Sequence, residues 1–314
     1  MNTPRTHIWP LVLAACSQLL LACGSEQGAP HVRASYDPII YGTLVVGDAG
    51  GVEEISARTA THGSWRCSSV ILNSSWLLTA EHCVLDSPTY TTPQTVIVVY
   101  GDDSYNRSRE ADRVAVLSTQ DIALVHFPDG VLPSLSNGMY GGSDQSLVGQ
   151  TLRCYGYGWS DPVEYLGGDL RTADLTVTET GYYTCGLFST EYCYPSHGYW
   201  LTRNSLGQIM APGDSGGPCF IDYGATRYIT GITHSASSDG TGASQVGAED
   251  FRDWACTTIG CSGPPGSQAS CVNGACEWNC PTGTSYCSGQ CMSTATATRT
   301  CPGIPFTAIK YLLE

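Results

Sequence analysis

The sequence predicts an all-β body of barrels or a sandwich, followed by a small module held together by disulfides. From Ile39 to about Thr257, short β-branched or alternating runs recur between Gly, Asn, Asp and Ser, which is the pattern of strands and turns. TVIVVY (95–100), RVAVL (113–117), DIALVHF (121–127), DLTVTET (174–180) and RYITGIT (227–233) follow one another in this way. No stretch sustains helical periodicity until AEDFRDWAC (248–256). From Cys256 onward the composition changes: eight cysteines fall within 46 residues with few aliphatics. A segment with so little apolar area needs covalent staples, and eight cysteines allow 105 pairings that spacing does not resolve. Zinc is the competing use of such spacings, but in an exported chain disulfides are the expected one, and neither a metal nor a cofactor is expected.

Export is read from two features. Sixteen cysteines in 314 residues are incompatible with a reducing cytosol. The chain also opens on MNTPRTHIWPLVLAACSQLLLAC, a short segment carrying Arg5 and then an apolar run, the form of a signal peptide and too short to span a membrane. LLA before Cys23 resembles the lipobox of bacterial lipoproteins, which implies acylation of Cys23 and anchoring in the cell envelope, or secretion if the cysteine stays free. LAAC (13–16) fits the same pattern at Cys16. Parity favours Cys23, because its acylation leaves 14 cysteines that can all pair. The expected organisation is a signal peptide over 1–22, a Gly- and Pro-containing tether or pro-segment over 23–38, the β body over 39–257 and the cysteine-rich module with its tail over 258–314.

A formal charge of −14, from 28 acidic against 14 basic residues, excludes a basic face for phosphate and so argues against nucleic acid as a partner. It otherwise serves solubility.

The chemistry gathers at APGDSGGPCF (211–220), where Gly213, Ser215 and Gly217 satisfy G-x-S-x-G. An α/β-hydrolase elbow demands a helix after the serine and then an acid and a histidine in that order. Gly216, Gly217 and Pro218 disfavour the helix. Downstream, His234 is the only histidine, and Asp222, the only acid between, lies too close to Ser215 to occupy a separate strand end. Upstream, CSSVILNSS and WLLTAEHC (76–83) carry His82, and QDIALVHF carries Asp121. These segments, with the serine segment, resemble the trypsin and chymotrypsin family over residues 39–257, in the chain order His82, Asp121, Ser215.

The resemblance implies two six-stranded antiparallel Greek-key barrels and a serine endopeptidase acting on protein or peptide substrates. It implies a Cys67–Cys83 disulfide, worth about 3 kcal/mol in the chain-entropy model. CYGYGW (154–159) resembles the start of the second barrel, which implies Cys154–Cys219 and leaves Cys185–Cys193 to pair locally. His82 is then the general base, Asp121 its orienting partner, and the N–H groups of Gly213 and Ser215 the oxyanion donors. Family activation frees a new N-terminus that pairs with the aspartate before the nucleophile, here Ile39 of IIYG and Asp214. Pro38 precedes Ile39, so self-activation by tryptic cleavage is not indicated; either another protease cuts there or nearby, or a different group orders Asp214. The pocket-base position falls on Ile209 rather than an acid, with Met210, Ser235, Ala236 and Ser244 as further candidate pocket residues, so Arg or Lys specificity is not expected and a small or apolar residue is. Ala211 stands in place of a family cysteine, and in GITHSASS either His234 or Ser235 replaces a family serine. A non-catalytic homologue that binds at the cell surface is the alternative.

Overall fold

The computed structural model of the chain describes residues 39–311 apart from 48, 60–62, 85–94, 101–106, 118, 129–131, 134, 136, 159–167, 184–195, 237–241, 263–264, 288–289 and 297–308. The signal peptide, Cys16, Cys23, the tether, Pro38 and the Cys185–Cys193 pair lie outside the described residues.

The body begins with β1 (Thr43–Leu44), β2 (Val52–Thr59), β3 (Gly63–Asn73), β4 (Trp76–Ala80), β5 (Thr95–Tyr100), β6 (Arg107–Glu110), β7 (Arg113–Leu117) and β8 (Ile122–His126). It continues with β9 (Gly138–Met139), β10 (Thr151–Gly156), β11 (Arg171–Tyr183), β12 (Ser196–Thr202), β13 (Pro218–Tyr223), β14 (Thr226–Ala236) and β15 (Gly242–Gly247), and ends in the helix α1 (Ala248–Ile259). Strands β2 to β8 form one sheet in the order β6-β5-β2-β3-β4-β8-β7. Strands β10 to β15 form a second, closed on itself by the β11–β12 pairing, with β1 added beside β11 and β9 running parallel to β14. The two-barrel, all-β expectation holds, and the closed second barrel has six strands. The first sheet carries seven, because its chain is divided at residues 111–112 between β6 and β7.

Packing explains why several strands read as continuous apolar runs rather than clean alternations. Every side chain of β4 is buried, and this strand lies in the middle of its sheet between β3 and β8. Leu77 points into the first barrel with Ile55, Ile71, Val125 and Phe127. Its neighbours Trp76 and Leu78 point the other way, into a shared core with Tyr155, Phe220, Ile229, Val246 and Phe251 of the second barrel and the helix. In β13 the same period of two sends Cys219 and Ile221 into the second barrel and Phe220 into the shared core. With water excluded from both faces, alternation of polarity is not needed.

Beyond α1, β16 (Gln268–Val272), β17 (Ala275–Asn279) and β20 (Ile309–Tyr311) make one small sheet, and β18 (Thr284–Cys287) and β19 (Gln290–Ser293) a hairpin. Among the described residues the module's pairings are Cys256–Cys271, Cys261–Cys276 and Cys280–Cys291. The first ties α1 to β16, and α1 itself runs two residues past the expected boundary at 257. Arg252 of this helix donates to the carbonyls of Tyr140 and Gly142 in the body and to Asn273 Oδ1 at 3.0 Å in the module, while Gly274 N donates to Asp253 Oδ1 at 2.6 Å. The helix is thus the shared element that fixes the module to the body.

Candidate active site

His82 is positioned by the end of β4. After Ala80 the chain makes one 3₁₀ turn, Glu81–Cys83, and the Cys67–Cys83 disulfide holds that turn against β3. Across from it, Asp121 sits in the turn before β8 with φ +52°, a left-handed conformation that aspartate tolerates better than most residues. Its side chain has no solvent exposure and its carboxylate meets His82 twice. The His82 backbone N donates to Oδ1 at 2.9 Å and the His82 Nδ1 to Oδ2 at 2.8 Å.

The second imidazole on this carboxylate is not among the site residues that the sequence predicts. His234 Nδ1 donates to the same Asp121 Oδ2 at 2.5 Å, and the two histidine rings stand 6.2 Å apart and nearly perpendicular. A register shift in the β14–β15 ladder between Thr233 and Ser235 leaves His234 at the irregularity, where a bulge re-aims a side chain. The only sequence signal is that either His234 or Ser235 stands where the family resemblance calls for a serine.

Electrostatics fixes the proton positions. Burial pushes Asp121 up, but the charges and hydrogen bonds of His82 and His234 prevail and hold it down at about 2. For His82, burial lowers the basicity, yet the charge and hydrogen bond of Asp121, helped by Glu81, leave it above 6.5. An ionised carboxylate only accepts, so both Nδ1 atoms carry protons and His82 Nε2 is left as the acceptor.

Ser215 lies on the loop before β13, which starts at Pro218, so no helix follows the serine. Gly213 at φ +95° and Gly216 at φ +79° allow the chain to turn there. A Cβ on Gly216 would meet Thr79 Oγ1 at 2.1 Å and the Ser68 carbonyl at 2.3 Å, so the loop is pressed against the strands that deliver His82. The loop's carbonyls are tied down: Ser68 Oγ donates to Gly213 O at 3.1 Å and Ser68 N to Ser215 O at 2.8 Å. That same Ser215 oxygen is 3.6 Å from Cys83 Sγ. Among the described residues, the N–H groups of Gly213 and Ser215 make no hydrogen bond, and none joins His82 to Ser215. Ser215 itself is half-buried. The two N–H groups are therefore uncommitted at a half-buried serine, an arrangement able to receive an oxyanion.

Asp214 points the other way, into the second barrel. Its fully buried carboxylate accepts from Ile39 N at 2.8 Å and Ala211 N at 2.8 Å through Oδ2, and from Gly158 N at 3.0 Å through Oδ1. Burial outweighs these three donors and pushes its pKa up to about 6. Ile39 and Asp214, 175 residues apart, are thus brought into contact through a backbone N–H.

Residues 50–255 match the Trypsin family. The chain belongs to the trypsin family of serine proteases. It is 24% identical over 279 residues to serine protease SP24D of Anopheles gambiae, covering 80% of this chain and 96% of that protein. It is 25% identical over 240 residues to serine protease SSP1 of Scolopendra subspinipes, covering 70% and 80%. Among solved structures, HL collagenase aligns with a TM-score of 0.55 at 17% identity, over 71% of this chain and all of that one. The Rv3671c protease of M. tuberculosis in its active form aligns at 0.51 and 18%, over 75% and 96%. At these identities the structural likeness speaks to the fold.

In this trypsin-family body the Cys67–Cys83 and Cys154–Cys219 disulfides are both present. The expected pocket residues divide. Ile209 and Met210 have no exposed surface and belong to the core of the second barrel, where Ile209 O accepts from Ile40 N at 2.7 Å. Ser235 and Ser244 face each other across β14 and β15 with their hydroxyls 2.8 Å apart, and Ala236 is in register with Ala243. None of the five supplies a charge.

Proposed function

We propose that the chain is an exported serine endopeptidase that cleaves peptide bonds through His82, Asp121 and Ser215 and does not favour Arg or Lys. The observation that carries this reading is geometric: the buried Asp121 Oδ2 lies 2.8 Å from His82 Nδ1, where a carboxylate holds that nitrogen's proton and leaves Nε2 free to act as base. Ser215 Oγ is too weak an acid to ionise near neutral pH, so its attack on the carbonyl requires Nε2 to take its proton. The imidazolium then returns that proton to the leaving amine, stabilised throughout by Asp121. The uncommitted N–H groups of Gly213 and Ser215 receive the oxyanion, each worth roughly 10²–10³ in rate at comparable sites. Water repeats the sequence to release the acid.

The Ile39–Asp214 contact supports activation by cleavage before Ile39. In the continuous chain Asp214 meets only neutral N–H donors. Cleavage turns the Ile39 N–H into an ammonium, and the pair becomes a buried ion pair whose loss costs about 3–5 kcal/mol. The processed enzyme is expected to begin at Ile39 on N-terminal sequencing, to cleave a peptide library after small or apolar residues, and to lose about 10²–10³-fold in kcat/KM in Asp214→Asn. A mature start far from Ile39 with full activity overturns the ion pair; cleavage confined to Arg and Lys overturns the specificity.

The disulfides of the described residues fit an extracytoplasmic location. For the anchor we infer acylation at Cys23, on the LLAC pattern alone. Cys23→Ala is expected to move the protein from the membrane to the soluble fraction; unchanged membrane retention rejects the anchor.

A further inference from the structure

Asp121 Oδ2 is the meeting point of two imidazole nitrogens, at 2.8 Å from His82 and 2.5 Å from His234. The three side chains present ligand atoms that all lie within 4.8 Å of one another. Two imidazoles and one carboxylate are a donor set suited to zinc and its transition-metal neighbours, whereas magnesium and calcium require mainly oxygen. The neighbouring Cys67, His82 and Cys83 are also close together, but both sulfurs are consumed in a disulfide.

We propose that His82, Asp121 and His234 form an inhibitory site for a divalent transition metal, zinc foremost, which disables the catalytic base by binding it. Zinc–ligand bonds of about 2.0–2.2 Å place tetrahedral ligands about 3.3 Å apart. The two nitrogen–oxygen distances therefore have to lengthen by less than about 1 Å, while the two imidazole nitrogens, within 4.8 Å of each other, close toward the same spacing. Entry is from the His82 side, whose side chain is 20% exposed, against 8% for His234 and 0% for Asp121. Three protein ligands leave a fourth position for water, the pattern of open zinc sites.

The loss of activity follows from tautomers. A metal on Nδ1 requires that nitrogen's lone pair, so the Nδ1 proton of each ring moves through solvent to its own Nε2 and both imidazoles stay neutral. His82 Nε2 then carries a hydrogen and cannot accept the Ser215 proton. The same ring rotation withdraws it from Asp121's orienting bond. His234 is what makes the site: without it, one histidine and one carboxylate remain, which bind zinc only weakly.

Binding and inhibition are tested separately, since the inhibitory consequence rests on the protease reading and the binding does not. Zinc chloride is titrated calorimetrically into the full-length Ser215→Ala chain, and cobalt(II) is followed by visible absorption. One equivalent with micromolar affinity and a tetrahedral cobalt spectrum is expected. His234→Ser in that background weakens binding by at least about 10–100-fold. His234→Asn, which keeps an N–H for Asp121 but offers no imidazole, does the same. In the active enzyme, zinc inhibition is reversed by EDTA, and the inhibition constant, measured against each variant's own metal-free rate, rises by the same factor in both. Zinc affinity that neither variant changes, as for binding at another histidine such as His126, overturns the site. Binding with the expected His234 dependence in a chain that never hydrolyses peptides overturns the protease reading alone.

Discussion

Replacing Ser215 with alanine is expected to abolish labelling by a fluorophosphonate and to lower kcat by about 10⁴-fold or more, with no loss of stability. The size follows from what the hydroxyl does: it is the nucleophile, and without it only binding and the oxyanion donors remain, which in comparable triads leave a residual rate far below the full one. The stability half follows from its surroundings. Ser215 is half-buried, and the bonds that hold its loop are made by backbone atoms of residues 213–217 and by Ser68, all of which survive the substitution. Thermal unfolding of the variant within about 0.5 kcal/mol of the parent, together with loss of labelling, separates a missing nucleophile from a damaged fold. Labelling that persists in Ser215→Ala places the reactive group elsewhere, and an unlabelled, correctly processed parent favours a binding role.

His82, Asp121 and Ser215 are legible in the sequence because each sits in a short segment whose neighbours constrain it. WLLTAEHC ends a buried strand, QDIALVHF begins one, and the glycines around Ser215 permit backbone angles that other residues resist. Local chemistry of this kind survives in sequence. His234 did not stand out, because its partner lies 113 residues away and the contact depends on an irregularity of β14 that no local pattern encodes. Ile209 and Met210 are legible as uncharged but not as core, since burial in the second barrel depends on Ile39 and Ile40 folding back against them. The tail's pairings were illegible for a combinatorial reason. Cys256–Cys271 and Cys261–Cys276 join the helix and the residues just after it to a hairpin, where the register of β16 with β17 sets Cys271 and Cys276 side by side.

Asp121→Asn should lower kcat by about 10⁴-fold while moving the acid limb of kcat/KM to lower pH, two effects with opposite appearances and one cause. His82 acts as a base and must be neutral, so activity falls as pH drops through its pKa. In the parent that pKa is above 6.5, because Asp121's charge and hydrogen bond outweigh the burial that opposes protonation. An asparagine removes the charge and leaves the burial, so the imidazolium is disfavoured and the limb shifts down. The plateau falls for a separate reason. The carboxylate only accepts, and it holds the Nδ1 proton of His82; an amide facing two imidazoles can donate as well, which admits the Nε2–H tautomer that cannot take the Ser215 proton. His234 gives this prediction a second edge. It donates to the same oxygen, so in Asp121→Asn the amide oxygen is claimed by one ring and the NH₂ is left to face the other. Adding His234→Ser to Asp121→Asn removes that competition and is expected to recover part of the lost kcat, whereas in the parent His234→Ser removes a donor to Asp121 and does not raise it. A pH profile taken on all four proteins reads both effects. An acid limb that stays in place in Asp121→Asn would mean that Asp121 does not set the basicity of His82, and strictly additive losses in the double variant would mean that the two imidazoles do not compete.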